Sequence, residues 1–249
     1  MQFGVTAIAQ ESDESSYNYS IGMKYLSRFV AYGIDLADDN TAWGINTSLG
    51  HSSGFYVDGY YTKPITNQLD LQQWGVDIGY EKEFFSGFNM YMEYSHFEFA
   101  TDTANILSQF TNSLSVNTEF DLAIFDLGLS YDHYFGEPGA SYFGIDISTF
   151  YDLGPFYIMP MAQAVFMSQT IENSYLSKGK TKKKNDPIVE VTEVIGLANT
   201  MLTLVTICPI IDNVSLSVVP ALIFNNQSEL SNESTQFVWN AGLRYNLSF

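Results

Sequence analysis

Residues 237–249 constrain the fold more than any other stretch of this sequence, because apolar and polar side chains alternate along them. The odd positions are apolar or aromatic: Phe237, Trp239, Ala241, Leu243, Tyr245, Leu247 and Phe249. The even positions from 240 onward are Asn240, Gly242, Arg244, Asn246 and Ser248. A period of two places these two sets on opposite faces of a β-strand. We therefore predict a strand with one apolar face, aromatic at both ends, and one polar face that carries an arginine.

This strand resembles the closing strand of bacterial outer-membrane β-barrels. In that family a C-terminal phenylalanine, preceded by apolar residues at every second position, is recognised by the barrel-assembly machinery. The resemblance implies that Leu243, Tyr245, Leu247 and Phe249 form this assembly signal, and that the assembly machinery is a partner during biogenesis. A soluble β-sandwich or a lipocalin-like barrel is the alternative.

Composition favours a barrel that meets lipid over a soluble domain. Aromatic residues make up 16% of the chain and charged residues only 15%, against roughly 25% charged residues in ordinary soluble domains. The net charge is −18. Because nucleic-acid binding requires a basic footprint, this charge excludes nucleic acid as a partner. Cys208 is the single cysteine, so an intramolecular disulfide is impossible.

Several other segments repeat the alternation. Residues 73–84, 88–95, 125–132 and 143–148 each combine an apolar face, uncharged through its middle, with a face of Asp, Glu, Gly or Ser. Such segments in series, with aromatic residues near their ends, are typical of an outer-membrane β-barrel with aromatic girdles. The predicted lipid-facing set includes Trp74, Ile78, Met90, Leu127, Leu129, Ile145, Leu243 and Leu247.

Turn residues divide the chain into twelve predicted antiparallel strands, with ten as the alternative. The predicted bounds are near 17–35, 42–50, 55–63, 71–84, 88–100, 119–135, 141–151, 156–170, 187–197, 199–210, 213–225 and 235–249. Outer-membrane barrels have short periplasmic turns, longer outer loops and both termini in the periplasm. To keep this parity, the prediction makes 187–210 a hairpin that turns near residue 197. It also assigns the connection 171–186 to the periplasmic side.

The barrel is predicted to span residues 17–249, with 1–16 as a periplasmic or lumenal segment. No signal peptide precedes Met1, so a chain bound for the Gram-negative outer membrane is expected to have had its leader removed. Residues 194–211 are free of formal charge and could form a membrane helix. A lone helix among so many strand-like segments is the weaker interpretation.

Two early stretches resemble a named family of porin-like barrels, the TorF-type family. They are 25–35, Tyr-Leu-Ser-Arg-Phe-Val-Ala-Tyr-Gly-Ile-Asp, and 53–57, Ser-Gly-Phe-Tyr-Val. Family members carry a Ser-x-Tyr-x-x-Arg-Gly-like element followed by a Gly-x-Tyr strand start. Here Tyr32 stands where the arginine before Gly33 would be, and Arg28 is displaced. The resemblance covers about the first 80 residues and implies a porin-like barrel without naming a solute.

His96 is the candidate for an enzyme site. A lipid-hydrolysing barrel needs a serine or water activated by a histidine, with an acid that orients the histidine. His96 shares the apolar parity of its strand, lies toward the predicted outer end and has Glu98 two residues on. We predict no catalytic residue, because no serine is clearly placed beside it and a girdle position explains it. His133, near a predicted periplasmic end, and the turn residue His51 are expected to be interfacial.

Neither a metal nor a cofactor is predicted. The acidic stretch 38–40 lacks the spaced carboxylates of a dedicated calcium loop. Five lysines between Lys178 and Lys184 form the only basic cluster. In an outer loop they could contact lipopolysaccharide phosphates and in a periplasmic loop an acidic partner, although a solvated loop is the simpler expectation.

The polar parity predicts an acidic lumen. The predicted lumen-lining residues are Asp58, Asp77, Glu81, Glu83, Glu93, Asp126, Asp132 and Asp146, opposed by Lys24 and Arg244. A water-filled interior of this kind favours cations over anions. The alternative is an interior closed by hydrogen-bonded carboxylates, tyrosines and methionines, since twelve strands lie between plugged eight-stranded and open sixteen-stranded barrels.

The sequence thus predicts an outer-membrane porin-like barrel for passive passage of small polar or cationic solutes. A non-conducting structural or accessory subunit of an envelope complex is the second hypothesis, and an outer-membrane lipid hydrolase is the third. We expect the finished barrel to contact outer-membrane lipid, lipopolysaccharide and an envelope protein complex.

Overall fold

The computed structural model describes residues 16–28, 30–31, 34–35, 40–65, 72–100, 111–135, 139–175, 188–226 and 234–249. The strands of this part of the chain are β1 (Tyr17–Leu26), β2 (Val30–Ala31), β3 (Ile34–Asp35), β4 (Ala42–His51), β5 (Phe55–Pro64), β6 (Gln72–Phe85), β7 (Phe88–Ala100), β8 (Asn112–Asp121), β9 (Asp126–Phe135), β10 (Ala140–Ser148), β11 (Tyr151–Asp152), β12 (Tyr157–Tyr175), β13 (Ile188–Ile211), β14 (Val214–Asn225) and β15 (Thr235–Ser248).

Twelve of these strands close into one antiparallel ring. Neighbours along the chain pair in turn from β4 to β10, β10 pairs with β12, and the ring continues through β13, β14 and β15. β1 closes it by pairing with both β15 and β4. The two-residue strands are not members of the ring. β2 and β3 pair only with each other, and β11 pairs only with the first two residues of β12. The predicted all-β barrel of twelve strands is confirmed, and the ten-strand count is excluded.

One predicted strand is in fact a hairpin. The prediction joined 119–135 into a single strand, whereas β8 ends at Asp121 and β9 begins at Asp126. The turn between them is built from apolar residues, and it is held by the Asp121 carboxylate, which accepts a hydrogen bond from the Ala123 amide at 2.8 Å. Ala123 has a φ of 69°, in the region that glycine or asparagine usually occupies. Because the turn lacks these residues, the sequence conceals it.

One predicted hairpin is in fact a strand. The expected turn near residue 197 is wrong, since β13 runs without a break from Ile188 to Ile211. Against β12 its register shifts there: Val165 pairs with Asn199, while Phe166 pairs with Leu197. Ala198 is the extra residue of a β-bulge, which interrupts the alternation without reversing the chain. The same finding excludes a membrane helix over 194–211. The two errors cancel, which is why the strand count is right.

The two ends of the barrel differ. Both Tyr17 and Ser248 lie at the end that carries the connections 52–54, 86–87, 122–125, 149–156 and 212–213, and we call it the turn end. The opposite loop end carries 27–41, 65–71, 101–111, 136–139, 176–187 and 226–234. The prediction put the connection after β12 on the side of the termini, and that is wrong. His133 likewise lies near the loop end and not near the termini.

Alternation along the ring strands separates an outer apolar face from an inner face, and the inner face carries most of the charged and polar side chains. All members of the predicted lipid-facing set lie on the outer parity, and Ile78, for example, is 55% exposed. Every ring strand exposes large apolar side chains in this way, and together they form a continuous apolar exterior. A soluble domain rarely exposes so large an apolar surface to water. Within the described residues, no helix is long and apolar enough to cross a membrane, a finding that does not bear on crossing by strands.

The seam between β15 and β1 is closed at the turn end by Phe249. Its amide donates to the Tyr17 carbonyl and its carbonyl accepts from the Tyr17 amide, both at 3.0 Å. The two rings are stacked with centroids 6.0 Å apart. Phe249 therefore completes the last cross-strand pair of the ring.

Candidate functional site

The inward side chains of β5–β10 form a wall that is rich in carboxylates. All predicted lumenal acids, Asp58, Asp77, Glu81, Glu83, Glu93, Asp126, Asp132 and Asp146, lie on the inward parity of these six strands, together with Glu119 and Asp121. Most of these side chains are partly exposed to the interior. We call this surface the carboxylate wall. No inward Lys, Arg or His lies on the described residues of these strands.

On the opposite side of the interior, the described side chains are uncharged. Along 157–169 of β12, 194–211 of β13 and all of β14, the inward side chains are apolar or neutral polar. β6 and β13 are six strands apart in both directions around the twelve-stranded ring, so this neutral wall faces the carboxylate wall. It is also closely packed: Val165 and Val205 are each 1% exposed, and Met201, Ala221 and Ile223 form a buried cluster.

Three carboxylates lie close together on β5–β7. Asp58 and Asp77 are direct cross-strand partners, and Asp77 lies close enough to Glu93 for electrostatic repulsion. Glu93 accepts hydrogen bonds from Tyr56 Oη at 3.0 Å and from Ser95 Oγ at 3.3 Å. Asp77 is only 6% exposed, and one oxygen each of Asp58 and Asp77 accepts no hydrogen bond from the described residues. Both oxygens are buried, so neither carboxylate has its full hydrogen-bonding capacity satisfied by these residues.

A second acidic group lies nearer the turn end, on β8–β10. Glu119 feels the negative charge of Asp126, Asp146 and Glu81, and the Asp146 carboxylate lies over Gly128, its cross-strand partner on β9. The prediction included all of these acids except Glu119. It missed Glu119 because β8 and β9 were predicted as one strand, on which Glu119 shares the outward parity of Phe125 and Leu127.

The two inward bases sit between the walls. Lys24 lies on β1 and Arg244 on β15, next to each other in the ring. Arg244 attracts Asp58 electrostatically, and the Lys24 side chain lies over Gly44 on the neighbouring strand. These two cations therefore border the carboxylate wall and leave its centre, on β6–β9, without an inward base among the described residues.

His96 points outward on β7, away from the lumen. Its Nδ1 lies 2.9 Å from Asn112 Oδ1, its Nε2 is 3.8 Å from Glu98 Oε1, and its ring meets Trp74 edge to face. Its hydrogen-bond partner is thus an amide instead of a serine. This environment of aromatic and polar groups fits a girdle position.

A serine lies instead beside His133. The two residues are cross-strand partners on the outer face of β9 and β10, and His133 Nδ1 lies 2.9 Å from Ser141 Oγ. Tyr131 Oη is 3.4 Å from the same Oγ, and Phe135 packs edge to face on the imidazole. Sequence reasoning missed this pair because the register between β9 and β10, which makes His133 and Ser141 partners, was not predicted.

Metal binding finds no support in the described residues, which contain no group of three or more His, Cys, Asp or Glu side chains arranged to hold an ion. The stretch 38–39 and the lysine cluster fall outside the described residues, as do residues 1–15.

Comparison with known proteins gives the fold. No family model matches the sequence, so the TorF-type resemblance stays a prediction, and no curated protein matches either. Among solved structures, a KdgM porin aligns with a TM-score of 0.56 at 11% identity, covering 91% of this chain and 98% of that chain. A NanC porin aligns at 0.53 with 9% identity over 91% and 100%. LpxR from Salmonella typhimurium aligns at 0.52 with 8% identity over 91% and 99%.

Proposed function

We propose that this chain is a porin-like barrel of the Gram-negative outer membrane that lets small polar or cationic solutes pass passively. The carboxylate wall is the observation that carries the proposal. Every inward charged side chain of the described residues on β5–β10 is Asp or Glu. Fixed negative charge along a water-filled passage concentrates cations and repels anions.

The membrane placement rests on the outer surface. Its apolar face is continuous around the ring, and aromatic side chains lie near both ends: Tyr17, Phe55, Phe84, Phe85 and Phe249 at the turn end, and Trp74, Phe135 and Trp239 toward the loop end. Aromatic girdles of this kind are typical of outer-membrane barrels. The short turns then face the periplasm.

Solute chemistry does not carry over from the similar structures. A KdgM porin has been solved in complex with disordered oligogalacturonate, which is a chain of acidic sugars. The carboxylate wall would repel such a polyanion. The lumen of this chain therefore favours solutes of the opposite charge.

A second candidate is a non-conducting barrel that serves an envelope complex. The observation that favours it is the burial of inward side chains in the loop-side part of the lumen. Tyr142 is 1% exposed and donates to Gln169 Oε1 at 3.1 Å, and Gln169 itself is 2% exposed. If the lumen is closed at the level of Tyr142 and Gln169, the barrel does not conduct. The carboxylates on the turn side of this level would then line a cavity that ends there.

Planar-bilayer recordings separate these candidates. The purified barrel is expected to conduct in a potassium chloride gradient, with a reversal potential that indicates cation preference. Replacing Asp58 and Asp77 by Asn and Glu93 by Gln should lower the cation-to-anion permeability ratio at least about twofold. Glu98→Gln, on the outer face of β7, is the matched control and should leave the ratio unchanged. Anion preference would overturn the proposal, and absence of conductance would favour the accessory subunit.

A further inference from the structure

Two inward glycines of β6 each provide space for a tyrosine of β5. Gly75 and Gly79 are the direct cross-strand partners of Tyr60 and Tyr56. A Cβ atom on Gly75 would lie 2.5 Å from Tyr60 Cζ and Oη, and one on Gly79 would overlap the Tyr56 ring. Real Cβ atoms essentially never come within 3.0 Å of another heavy atom. Both rings therefore lie along the wall, over the glycines, instead of projecting across the lumen.

The Tyr56 hydroxyl confirms how far its side chain extends along the wall. The Tyr56 side chain starts on β5 and crosses β6 at Gly79, and its hydroxyl donates a hydrogen bond to Glu93 Oε2 on β7 at 3.0 Å. A rotamer that pointed toward the barrel axis would give up this bond. Since Ser95 holds the other Glu93 oxygen, Tyr56 also fixes the direction of a lumenal carboxylate.

The same arrangement recurs at other inward glycines of the ring. Gly22 lies under Asn46, Gly44 under Lys24, Gly128 under Asp146 and Gly144 under Ser130, and each pair is a direct cross-strand pair. Glycine weakens a strand, so a recurrent glycine indicates that another group approaches the backbone closely. The tyrosine pairs are the bulkiest of these and thus have the largest effect on the width of the lumen.

We propose that Gly75 and Gly79 are the residues that keep the lumen wide along β5–β7, by letting Tyr56 and Tyr60 lie flat against the wall. The order Gly75-Val-Asp-Ile-Gly79 places Asp77 between the two tyrosine rings. Asp77 is only 6% exposed there, so its carboxylate is held against the wall beside two aromatic side chains. The consequence for conductance rests on the proposed channel function, whereas the position of the rings does not.

Single-channel recordings of Gly79→Ala test the proposal. The added methyl group must displace Tyr56 from the wall, so conductance should fall by about half, the reduction expected when a ring enters a narrow passage. Adding Tyr56→Ala in the same chain should restore it. The matched control is Gly59→Ala: Gly59 lies on the outer parity of β5, where a Cβ would meet only Thr47 Cγ2 at 3.3 Å. Unchanged conductance in folded Gly79→Ala, or failure of the rescue, would overturn the proposal.

Two further measurements keep the test independent of conduction and of the folding of one variant. Nitration of Tyr56 by tetranitromethane in the detergent-folded barrel should rise several-fold in Gly79→Ala and stay unchanged in Gly59→Ala. If nitration rises but the barrel does not conduct, the channel function is rejected and the position of the Tyr56 ring against the wall is supported. If nitration does not rise, the position of the ring is rejected. If Gly79→Ala does not fold, Tyr56→Ala alone should raise conductance by less than about 1.5-fold, whereas a ring across the passage would give a larger increase.

Discussion

The carboxylate wall and the neutral wall are built from the same strand pattern, yet they have different physical roles. Asp58, Glu93 and Glu119 on the carboxylate wall are partly exposed, and the repulsion of each from neighbouring carboxylates opposes folding. On the neutral wall, Val165 and Val205 are almost fully buried, and their burial stabilises the barrel. Most carboxylates on one side of the interior are therefore partly exposed, while the apolar side chains on the other side are the nearest equivalent of a hydrophobic core.

The strongest test of this difference introduces a carboxylate on each wall. Val205→Asp buries an unpaired charge, which costs several kcal/mol out of the roughly 5–15 kcal/mol that stabilise a typical folded protein. We expect it to abolish the folded band in heat-modifiability gels after refolding in detergent. Asn117→Asp adds a carboxylate of the same shape to the partly exposed carboxylate wall and should fold like the parent. Equal folding of the two variants would contradict the difference between the walls.

The seam between β15 and β1, which separates the two walls on one side, gives the next largest effect. Phe249→Ala removes the ring that stacks on Tyr17, and an aromatic pair of this kind contributes about 0.5–1.5 kcal/mol beyond its buried area. If the phenylalanine is also recognised during assembly, the yield of folded barrel in cell membranes should fall more than the stability of the refolded protein does. Phe84→Ala is the control, because Phe84 lies at the same end of the barrel but outside the seam. Equal losses of membrane yield in both variants would contradict the assembly role.

Sequence alone was sufficient for the barrel, because period-two alternation with an uncharged apolar face has few other solutions. It failed where the alternation changes phase. Leu122-Ala123-Ile124-Phe125 reverses the chain without glycine, proline or asparagine, and the bulge at Ala198 changes phase without reversing it. A phase change therefore indicates an irregularity and does not specify its kind. The contrast between the walls also depends on which strands face each other, information that exists only once the ring is closed.

The smallest effect is expected on the outer face of β9 and β10, at His133 and Ser141. Their 2.9 Å contact joins a histidine and a serine across two strands, whereas the 2.7 Å contact of His51 with Ser53 lies within one turn, and it supports the hydrolase hypothesis better than His96 does. A catalytic pair, however, needs a group that orients the base, and the remaining described contact of the His133 ring is with Phe135. We therefore expect His133→Ala and Ser141→Ala to release no less fatty acid from phospholipid vesicles than the parent barrel, with conductance also unchanged. His96→Ala serves as the parallel control at the same end of the barrel. A hydrolytic activity that is lost in both His133→Ala and Ser141→Ala, but kept in His96→Ala, would make this exterior site the functional one and the carboxylate wall secondary.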